Sequence, residues 1–316
     1  MPEKVLILHR FPKAQMARIG QRFELLDTSG KKPSEMFPAE ELASIRATIA
    51  AGGSRFGSDI MDMLPKLGAI VCYGTGYDGV DLKAAAARGI KVGHSPGANA
   101  ASVADIAVTL LLAATRRLVV ADNYVRSGDW GAAKPSPMMR PQPGMLGRKV
   151  GVYGMGEIGR KIAARVAAFE AEVGYFSRTK RDVPYQYFPS LEVLADWCSA
   201  LVIAVRAGPE TDRVVNADIL KRLGEDGCVI NIARGSVIDQ PALIQALTDK
   251  TIAGAGLDVY AREPHLPDAL TAFPNVVLTP HIGGHTLESH TAMQDCVLAN
   301  LAAFFAGRPL IHPVPT

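Results

Sequence analysis

Three glycines near the middle of the chain lie between a short apolar run and a helical pattern. Gly154, Gly156 and Gly159 follow residues 150–153, and residues 158–169 carry apolar side chains at helical spacing. In a G-x-G-x-x-G turn of this kind, the first glycine makes the tight turn, the second lets the backbone approach a pyrophosphate, and the third lets helix and strand pack closely. The pyrophosphate would lie on free N–H groups at the helix start. The alternative is a structural βαβ turn without a nucleotide.

The next predicted strand, at residues 172–176, is followed by five hydroxyl and basic residues: Ser177, Arg178, Thr179, Lys180 and Arg181. An NAD site usually presents an acidic side chain here, about twenty residues after the glycines, to the ribose 2′-hydroxyl. A carboxylate would repel a 2′-phosphate, whereas this cluster would bind one. The sequence therefore predicts NADP(H) as the cofactor and NAD as a weaker ligand. The alternative is a solvated basic turn.

Three further polar residues follow predicted strands in the second half of the chain. Arg234, Glu263 and His281 each come after a strand, at the edge where open α/β sheets place their ligands. An arginine can hold a carboxylate by two parallel N–H bonds. A histidine can exchange a proton near neutral pH, and a carboxylate beside it orients the ring. Together these groups suit reduction of a 2-oxo acid, in which C2 receives a hydride and histidine protonates the developing alkoxide.

Strand-like runs alternate with helical patterns along almost the whole chain, which predicts an α/β fold with parallel sheets. Beyond the glycine turn, we expect strands at residues 5–8, 47–50, 69–72, 90–92, 201–205, 229–232, 253–257 and 276–278. Helices are expected from Ser58 and Asp81, and one long helix over residues 100–127. The proline-rich stretch at 134–144 reads as an extended loop that leaves one unit and enters the next.

A last helix at residues 286–305 has the spacing to pack back on the first unit. We therefore predict two doubly wound parallel-sheet domains. A Rossmann cofactor domain at residues 100–285 is inserted in a discontinuous, flavodoxin-like substrate domain at residues 1–99 and 286–316.

The composition is that of a globular protein with room for two domains. The 316 residues are 48% hydrophobic and 21% charged, and the net charge of +3 is too small to imply nucleic acid or a membrane as the main partner. The run at residues 106–114 is too short to span a bilayer. The four cysteines are far apart and no secretion segment is evident, which predicts reduced thiols in a cytoplasmic protein.

Several segments resemble the D-isomer-specific 2-hydroxyacid dehydrogenases over nearly the whole chain. They are residues 230–235 (INIARG), 256–259 (GLDV), 263–264 (EP), 279–284 (TPHIGG), 73–81 (YGTGYDGVD) and 103–105 (VAD). Within that family, the Ser-Arg-Thr ending of the second nucleotide-binding strand is most similar to NADPH-dependent glyoxylate and hydroxypyruvate reductases.

The resemblance implies a role for each residue that matches a family motif. Arg234 binds the substrate carboxylate and the C2 oxygen, His281 is the acid/base, and Glu263 is its partner. Backbone N–H groups of Thr75 and Gly76 bind the carboxylate. Taken alone, each of the three side chains has a structural alternative: a salt-bridge arginine, a solvated glutamate and a packed histidine.

The resemblance also implies that Asp258 faces the nicotinamide end of the cofactor. The residues expected to contact the cofactor are Gly154, Met155, Gly156, Glu157, Ile158, Gly159, Ser177, Arg178, Thr179, Val205, Arg206, Ile232, Ala233, Arg234, Asp258, His281 and Gly283.

Four residues depart from the family pattern or have no fixed role in it. Arg206 would reach the 2′-phosphate or stand exposed. Arg55 would favour a polar or acidic substrate tail or be a solvated loop residue. Met138 and Met139 would cover the site from a neighbouring subunit.

A metal site at His281, His285 and His290 is rejected. The H-x3-H pair, His281 and His285, begins in a glycine turn and lacks a glutamate between its histidines. A nucleophilic serine is not supported either, since no G-x-S-x-G segment is present.

The sequence therefore predicts an NADPH-dependent reductase of glyoxylate and hydroxypyruvate. Two alternatives stay open: a cofactor-sensing regulatory protein of the same fold, and a relative that acts on an aromatic 2-oxo acid or an inorganic anion. The resemblance also implies a homodimer, with the long helix at residues 100–127 as the contact, although that helix could instead bury its apolar face within one chain.

Overall fold

The computed structural model describes residues 2–132, 134–136 and 141–315. The chain divides into two compact units, one formed by Met1–Asn99 with His285–Thr316 and the other by Ala100–Gly284. Each unit contains a parallel sheet with helices, which confirms the predicted α/β class. Across the residues that the structure describes, no helix combines the length and the apolar character needed to cross a membrane.

The first unit contains a five-stranded parallel sheet in the order β2-β1-β3-β4-β5, which is the flavodoxin-like order. Its elements are β1 (Lys4–Ile7), α1 (Lys13–Gly20), β2 (Glu24–Asp27), α2 (Pro33–Met36), α3 (Ala39–Leu42), β3 (Ala47–Ala50), α4 (Ser58–Met61), β4 (Ala69–Cys72), α5 (Leu82–Ala87), β5 (Lys91–Gly93) and, after the second unit, α13 (Leu287–Phe305).

The second unit contains a seven-stranded parallel sheet in the order β12-β11-β10-β9-β6-β7-β8. Its elements are α6 (Ala100–Thr115), α7 (Leu118–Arg126), β6 (Lys149–Tyr153), α8 (Glu157–Ala167), β7 (Glu172–Phe176), β8 (Gln186–Tyr187), α9 (Leu191–Trp197), β9 (Ala200–Ile203), α10 (Ala217–Leu223), β10 (Cys228–Asn231), a 3₁₀ turn (Gly235–Val237), α11 (Gln240–Thr248), β11 (Gly254–Leu257), α12 (Asp268–Ala272) and β12 (Val276–Leu278). Counted from β6, the sheet has the Rossmann order 3-2-1-4-5-6 with a seventh strand added.

Both sheets are buried on their two faces because their central strands are almost entirely apolar. Every residue of β3, β4, β9, β10 and β11 is buried, as expected for parallel strands covered by helices. Neighbouring residues along a strand belong to different apolar clusters: Leu6 lies in one, and Val5 and Ile7 lie in another. The loops that follow the parallel strands therefore lie at one edge of each sheet.

The prediction of one long helix over residues 100–127 is wrong, because the helix ends at Thr115 and a new one begins at Leu118. Arg117 between them has a left-handed backbone with φ of +52°. Helix α6 is apolar and mostly buried, whereas no residue of α7 is buried. Two consecutive arginines at the junction cannot follow α6 into the core, so the chain turns there.

Two edge strands, β2 and β8, have no counterpart among the predicted strands. β2 has the sequence Glu-Leu-Leu-Asp with only one buried residue, and β8 has two residues. A half-exposed edge strand with charged ends lacks the apolar run that marks a central strand.

Candidate active site

The loops that follow β10, β11 and β12 carry the three polar residues singled out from the sequence. These strands are neighbours in the sheet and run parallel, so their carboxyl ends meet at one edge. Arg234 comes three residues after β10, Glu263 follows β11, and His281 follows β12. The fold therefore delivers all three side chains to the same edge of the second unit.

His281 and Glu263 are in direct contact through their side chains. The Nδ1–H group of His281 donates to Oε2 of Glu263 at 2.7 Å. The other carboxylate oxygen, Oε1, accepts the Tyr260 backbone N–H at 3.1 Å. The two side chains are 46% and 35% exposed, so the pair remains open to a ligand. Because Nδ1 is occupied by the carboxylate, Nε2 is the ring nitrogen left for a proton transfer.

The environment of Glu263 keeps its carboxyl group charged. Burial raises its pKa, but the hydrogen bond and charge of His281, the Tyr260 N–H and the charge of Arg234 together lower the pKa below its ordinary value. A charged carboxylate accepts the Nδ1–H of the imidazole and fixes the orientation of the ring. This arrangement is the one that a proton-donating histidine requires.

Arg234 stands on a loop that is held by the buried side chain of Asn231. The Oδ1 atom of Asn231 accepts the Ala233 N–H at 3.0 Å, and its Nδ2 group donates to the Arg234 carbonyl at 2.9 Å. The guanidinium of Arg234 also donates to the Ala233 carbonyl at 2.8 Å. The half-buried Arg234 therefore lies on a short loop whose backbone is fixed by these hydrogen bonds.

Asp258 is 2% exposed, and both of its carboxylate oxygens are bound by the loop that carries His281. Oδ1 accepts the Thr279 hydroxyl at 2.6 Å and the Ile282 N–H at 2.8 Å, and Oδ2 accepts the Gly283 N–H at 2.9 Å. His281 itself has a left-handed backbone with φ of +54°. These bonds hold that uncommon conformation and so fix the direction of the imidazole.

The glycine turn of the second unit has the features of a dinucleotide site. Gly154 has φ of +103°, and a Cβ atom there would lie 2.7 Å from the Ala204 carbonyl oxygen. A Cβ at Gly159 would lie 1.9 Å from the Gly154 carbonyl, whereas a Cβ at Gly156 would meet no atom within 4 Å. Helix α8 begins here without a side-chain cap. Its first N–H groups, beside an open Gly156, fit a pyrophosphate.

The basic turn after β7 has a backbone held by the buried Tyr175 and side chains that are exposed to solvent. Tyr175 is fully buried, and its hydroxyl donates to the Arg181 carbonyl and accepts the Arg181 N–H, at 2.9 and 2.8 Å. Ser177 donates to the Thr179 carbonyl at 2.7 Å. Arg178 is 88% exposed and lies 3.3 Å from Glu210. This turn presents cationic and hydroxyl groups to solvent on a fixed backbone.

The other residues expected to contact a cofactor differ in burial. Arg206 is exposed, and its carbonyl accepts the Thr211 hydroxyl at 3.0 Å. Met155 is 1% exposed within an apolar cluster, so only its backbone faces outward. Of the remainder, Glu157 is exposed, Ile158 and Val205 are half-buried, and Ile232, Ala233 and Gly283 are buried.

The first unit holds Thr75 and Gly76 in the loop after β4. The Thr75 hydroxyl donates to Oδ1 of Asn99 at 2.8 Å and to the Ser95 carbonyl at 3.1 Å. Across the described part of the chain, no hydrogen-bond acceptor lies on the backbone N–H of Thr75 or Gly76. Both residues are half-buried, so these two N–H groups are available to an anion.

Arg55 lies in the first unit and is engaged by a neighbour. Its guanidinium makes two hydrogen bonds of 2.9 Å to the carboxylate of Asp59, and its side chain is 73% exposed. This exposed pair fits the solvated-loop alternative, and a role of Arg55 toward the substrate tail stays a prediction. Met138 and Met139 lie outside the described residues.

His285 and His290 pack with aromatic and polar neighbours in the first unit. Their rings are 5.1 Å apart, and Nδ1 of His290 lies 3.0 Å from the Tyr73 hydroxyl. Burial, and then the charge of His285, lower the pKa of His290. Within residues 2–132, 134–136 and 141–315, no group of three His, Cys, Asp or Glu side chains is placed to hold a metal ion.

Three residues that support the site were not singled out from the sequence: Asn231, Tyr260 and Thr279. Tyr260 is buried, and its hydroxyl donates to the Thr279 carbonyl at 2.8 Å, which ties the Glu263 loop to the His281 loop. A sequence signal could have identified Asn231 and Thr279, because each is a polar residue at the end of an apolar strand or directly after it.

Comparison with known proteins identifies the second unit and most of the chain. A profile of the NAD binding domain of D-isomer specific 2-hydroxyacid dehydrogenases matches residues 108–283. The chain is 42% identical over 272 residues to the 2-ketogluconate reductase of Gluconobacter oxydans, covering 86% of each chain. It is 37% identical over 297 residues to the hydroxyphenylpyruvate reductase of Plectranthus scutellarioides, covering 94% of each.

A solved structure has the same fold over its full length. The NADPH-dependent glyoxylate/hydroxypyruvate reductase of Sinorhizobium meliloti, crystallised with NADP and malonate, superposes with a TM-score of 0.92 at 36% identity. The match covers 99% of this chain and 97% of that one.

Proposed function

This chain belongs to the D-isomer specific 2-hydroxyacid dehydrogenase family, and we propose that it reduces glyoxylate and hydroxypyruvate with NADPH. The family that the sequence motifs predicted is confirmed. The observation that carries the proposal is the 2.7 Å hydrogen bond between His281 and Glu263, at the same sheet edge as Arg234. An imidazole held by a carboxylate can protonate the C2 oxygen of a 2-oxo acid, and a guanidinium at the same sheet edge can bind the acid's carboxylate.

His281 is the proton donor in this proposal. Its Nδ1–H is committed to Glu263, so Nε2 delivers the proton to the C2 oxygen. Glu263 stabilises the imidazolium and keeps the ring from rotating. In the reverse direction the same nitrogen accepts the proton of the 2-hydroxy acid.

Arg234 binds the substrate carboxylate and polarises the C2 carbonyl. A guanidinium presents several N–H donors in one plane, which match the two oxygens of a carboxylate. The hydrogen bonds of Asn231 to the loop hold the backbone of Arg234 in place, so little freedom is lost when substrate binds.

The residues of the second unit fit a dinucleotide. The open Gly156 and the first N–H groups of α8 would hold the pyrophosphate of a bound dinucleotide, whose nicotinamide would supply the hydride that C2 receives. Asp258 keeps the His281 loop in place at that end of the site. Among the expected cofactor contacts, Met155, Ile232 and Ala233 take part through their backbone atoms or through packing, because their side chains are buried.

NADPH is favoured over NADH by the turn after β7. Arg178 and Thr179 are exposed on a backbone that Tyr175 holds, and no acidic side chain occupies the turn at residues 177–181. A 2′-phosphate would replace Glu210 as the partner of Arg178. Arg206, exposed in the same loop as Glu210, provides a second cation.

Thr75 and Gly76 contribute backbone N–H groups to the substrate carboxylate. Their N–H groups have no acceptor in the described part of the chain, which fits a role in anion binding. Arg55 is given no role here, since Asp59 offsets its charge.

The assay that tests the proposal measures initial rates with glyoxylate, hydroxypyruvate, phenylpyruvate and 2-ketogluconate, each with NADPH and with NADH. We expect the first two substrates with NADPH to give the highest kcat/KM. A preference for phenylpyruvate or 2-ketogluconate would contradict the substrate assignment while keeping the reaction. Tight NADPH binding without turnover of any 2-oxo acid would favour a cofactor-sensing regulatory protein.

We further propose a homodimer formed through the exposed face of α7. Leu118, Val119 and Val125 on this helix are 58%, 44% and 52% exposed, and Trp130 after it is 69% exposed. A cluster of large apolar side chains on one short segment marks an interaction surface. Helix α6, by contrast, is mostly buried within its own unit.

Light scattering tests the dimer. We expect the parent protein to have twice the mass of one chain, and Leu118→Lys with Val125→Lys to shift it to a monomer. Val193→Lys, on α9 and 44% exposed, is the matched control and should stay dimeric. A monomeric parent would contradict the proposal. We also propose a cytoplasmic location, which the four free cysteine thiols support.

A further inference from the structure

The loop after β4 has its carbonyls held on one side. The Ser95 N–H donates to the Gly74 carbonyl at 2.8 Å, and Nδ1 of His94 lies 2.9 Å from the Thr75 carbonyl. A carbonyl oxygen can only accept, so Nδ1 of His94 carries the proton of that bond. Two consecutive carbonyls of this loop are thus bound by the segment that follows β5.

This binding sets the direction of the N–H groups of Thr75 and Gly76. The Gly74–Thr75 and Thr75–Gly76 peptide bonds are trans. In a trans peptide the C=O and N–H bonds point in opposite directions. The Gly74 carbonyl shares its peptide plane with the Thr75 N–H, and the Thr75 carbonyl shares its plane with the Gly76 N–H. Once Ser95 and His94 hold the carbonyls, both N–H groups point away from the β5 segment.

On its other side, the loop after β4 packs against the backbone of Gly52. A Cβ atom on Gly52 would lie 1.6 Å from the Gly76 carbonyl oxygen, so the two backbones are already in contact. The Gly52 carbonyl accepts the Gly79 N–H at 2.7 Å. The loop therefore cannot relax toward β3, and His94 controls the remaining freedom of the Thr75–Gly76 peptide plane.

His94 is itself held firmly, which a positioning residue needs. It is 9% exposed, and its ring meets the ring edge of Tyr77 at 5.1 Å and 76°. Its backbone N–H donates to the His312 carbonyl at 3.0 Å. The fully buried Asn300 donates to the His94 carbonyl and accepts the His312 N–H, at 3.3 and 2.9 Å.

We propose that His94 is a positioning residue for carboxylate binding: its Nδ1–H holds the Thr75 carbonyl so that the Gly76 N–H faces the substrate carboxylate. The inference rests on the proposed function, which assigns those N–H groups to the carboxylate. It adds a residue outside the catalytic three to the determinants of affinity for 2-oxo acids.

The test compares His94→Asn, His94→Gln and His94→Ala. Asparagine carries its N–H donor at the δ position, as Nδ1 of histidine does, whereas glutamine carries it one atom further out and alanine has none. We expect His94→Asn to keep the KM for glyoxylate within about threefold of the parent, and the Gln and Ala variants to raise it about tenfold or more with a smaller change in kcat. The dissociation constant of NADPH should be unchanged in all three.

Two results would overturn the proposal. Parental KM values in both the Gln and the Ala variants would show that the Thr75 carbonyl needs no donor. An Asn variant as impaired as the Ala variant would show that the imidazole acts by packing alone. If the Gln and Ala variants do not fold, ¹⁵N–¹H spectra of the parent decide: the proposal requires a proton on Nδ1 of His94, and a ring protonated only on Nε2 contradicts it.

A binding measurement separates this inference from the proposed function. Malonate is a dicarboxylate that cannot be reduced, and calorimetry on the NADP-saturated protein measures its affinity without turnover. Weaker malonate binding in His94→Gln and His94→Ala, but not in His94→Asn, supports the role of His94 even if no 2-oxo acid is reduced. Equal affinity in all variants of an active enzyme contradicts it.

Discussion

Gly235 and Tyr260 approach so closely that a Cβ atom on residue 235 would lie 1.8 Å from the Tyr260 carbonyl carbon. This contact joins the loop of Arg234 to the loop of Glu263. The Tyr260 N–H also binds the Glu263 carboxylate at 3.1 Å. The position of the guanidinium relative to the carboxylate therefore depends on the absence of a side chain at residue 235.

Gly235→Ala should disturb both stability and catalysis. The added methyl group must push the two loops apart, because backbone atoms on Tyr260 cannot move aside as a side chain can. We expect a loss of about 1–3 kcal/mol in the free energy of unfolding and a fall in kcat/KM for glyoxylate of about tenfold or more. Gly144→Ala is the control, since a Cβ there meets no atom within 4 Å. Parental rates in Gly235→Ala would refute a tight contact.

Asp258→Asn should destabilise the second unit and impair His281. The buried carboxylate accepts three hydrogen bonds, and an amide nitrogen in place of one oxygen would face a donor without accepting it. We expect a loss of about 1–3 kcal/mol in unfolding free energy, together with a lower kcat for glyoxylate. Urea unfolding and steady-state rates measure the two effects. An unchanged kcat would mean that the His281 loop does not depend on this carboxylate.

Glu263→Gln should lower kcat about 100-fold at neutral pH, because the amide cannot stabilise an imidazolium.

The pKa of Glu263 lies below its ordinary value of 4.5, so the stability that its charge contributes is present above that value and is lost as the pH falls through the lower, folded-state pKa. The parent should therefore lose its advantage over the variant on acidification below about pH 4.5. Unfolding free energies measured from pH 7 downward test this. A difference that stays constant over that range would argue against the His281–Glu263 pair.

Arg178→Ala should weaken NADPH more than NADH. Arg178 is exposed at the turn where the 2′-phosphate is expected, and its present partner is the exposed Glu210. We expect the KM for NADPH to rise about tenfold and that for NADH to change less than about twofold. Arg126→Ala removes an arginine, 76% exposed, from another surface ion pair, with Asp122, and serves as the control. Equal changes for both dinucleotides would remove Arg178 from the 2′-phosphate site.

The sequence was sufficient to predict the features that follow from periodicity and local chemistry. Short apolar runs predict strands, so β4 and β12 were predicted at their observed residues. The glycine turn was recognisable because tight backbone approach at Gly159 tolerates no side chain. The residues Arg234, Glu263 and His281 each follow a strand, and parallel strands direct such positions to one edge.

Features that depend on long-range contacts were not predictable in the same way. The pairing of Asp258 with the Ile282 and Gly283 N–H groups joins residues 24 and 25 positions apart, and the sequence suggested a cofactor contact for it. The break at Arg117 follows from where α6 is buried, which helical spacing alone does not reveal. The bond from His94 to the Thr75 carbonyl likewise arises only when β4 and β5 pair.

The most direct test of the account is the rate of glyoxylate reduction by His281→Ala, measured beside its affinity for NADPH. We predict a fall in kcat of about 10²–10⁴-fold, because the proton for the C2 oxygen is lost, with an NADPH dissociation constant close to that of the parent. A variant that reduced glyoxylate at near-parental rates would contradict the assignment of His281 as the proton donor.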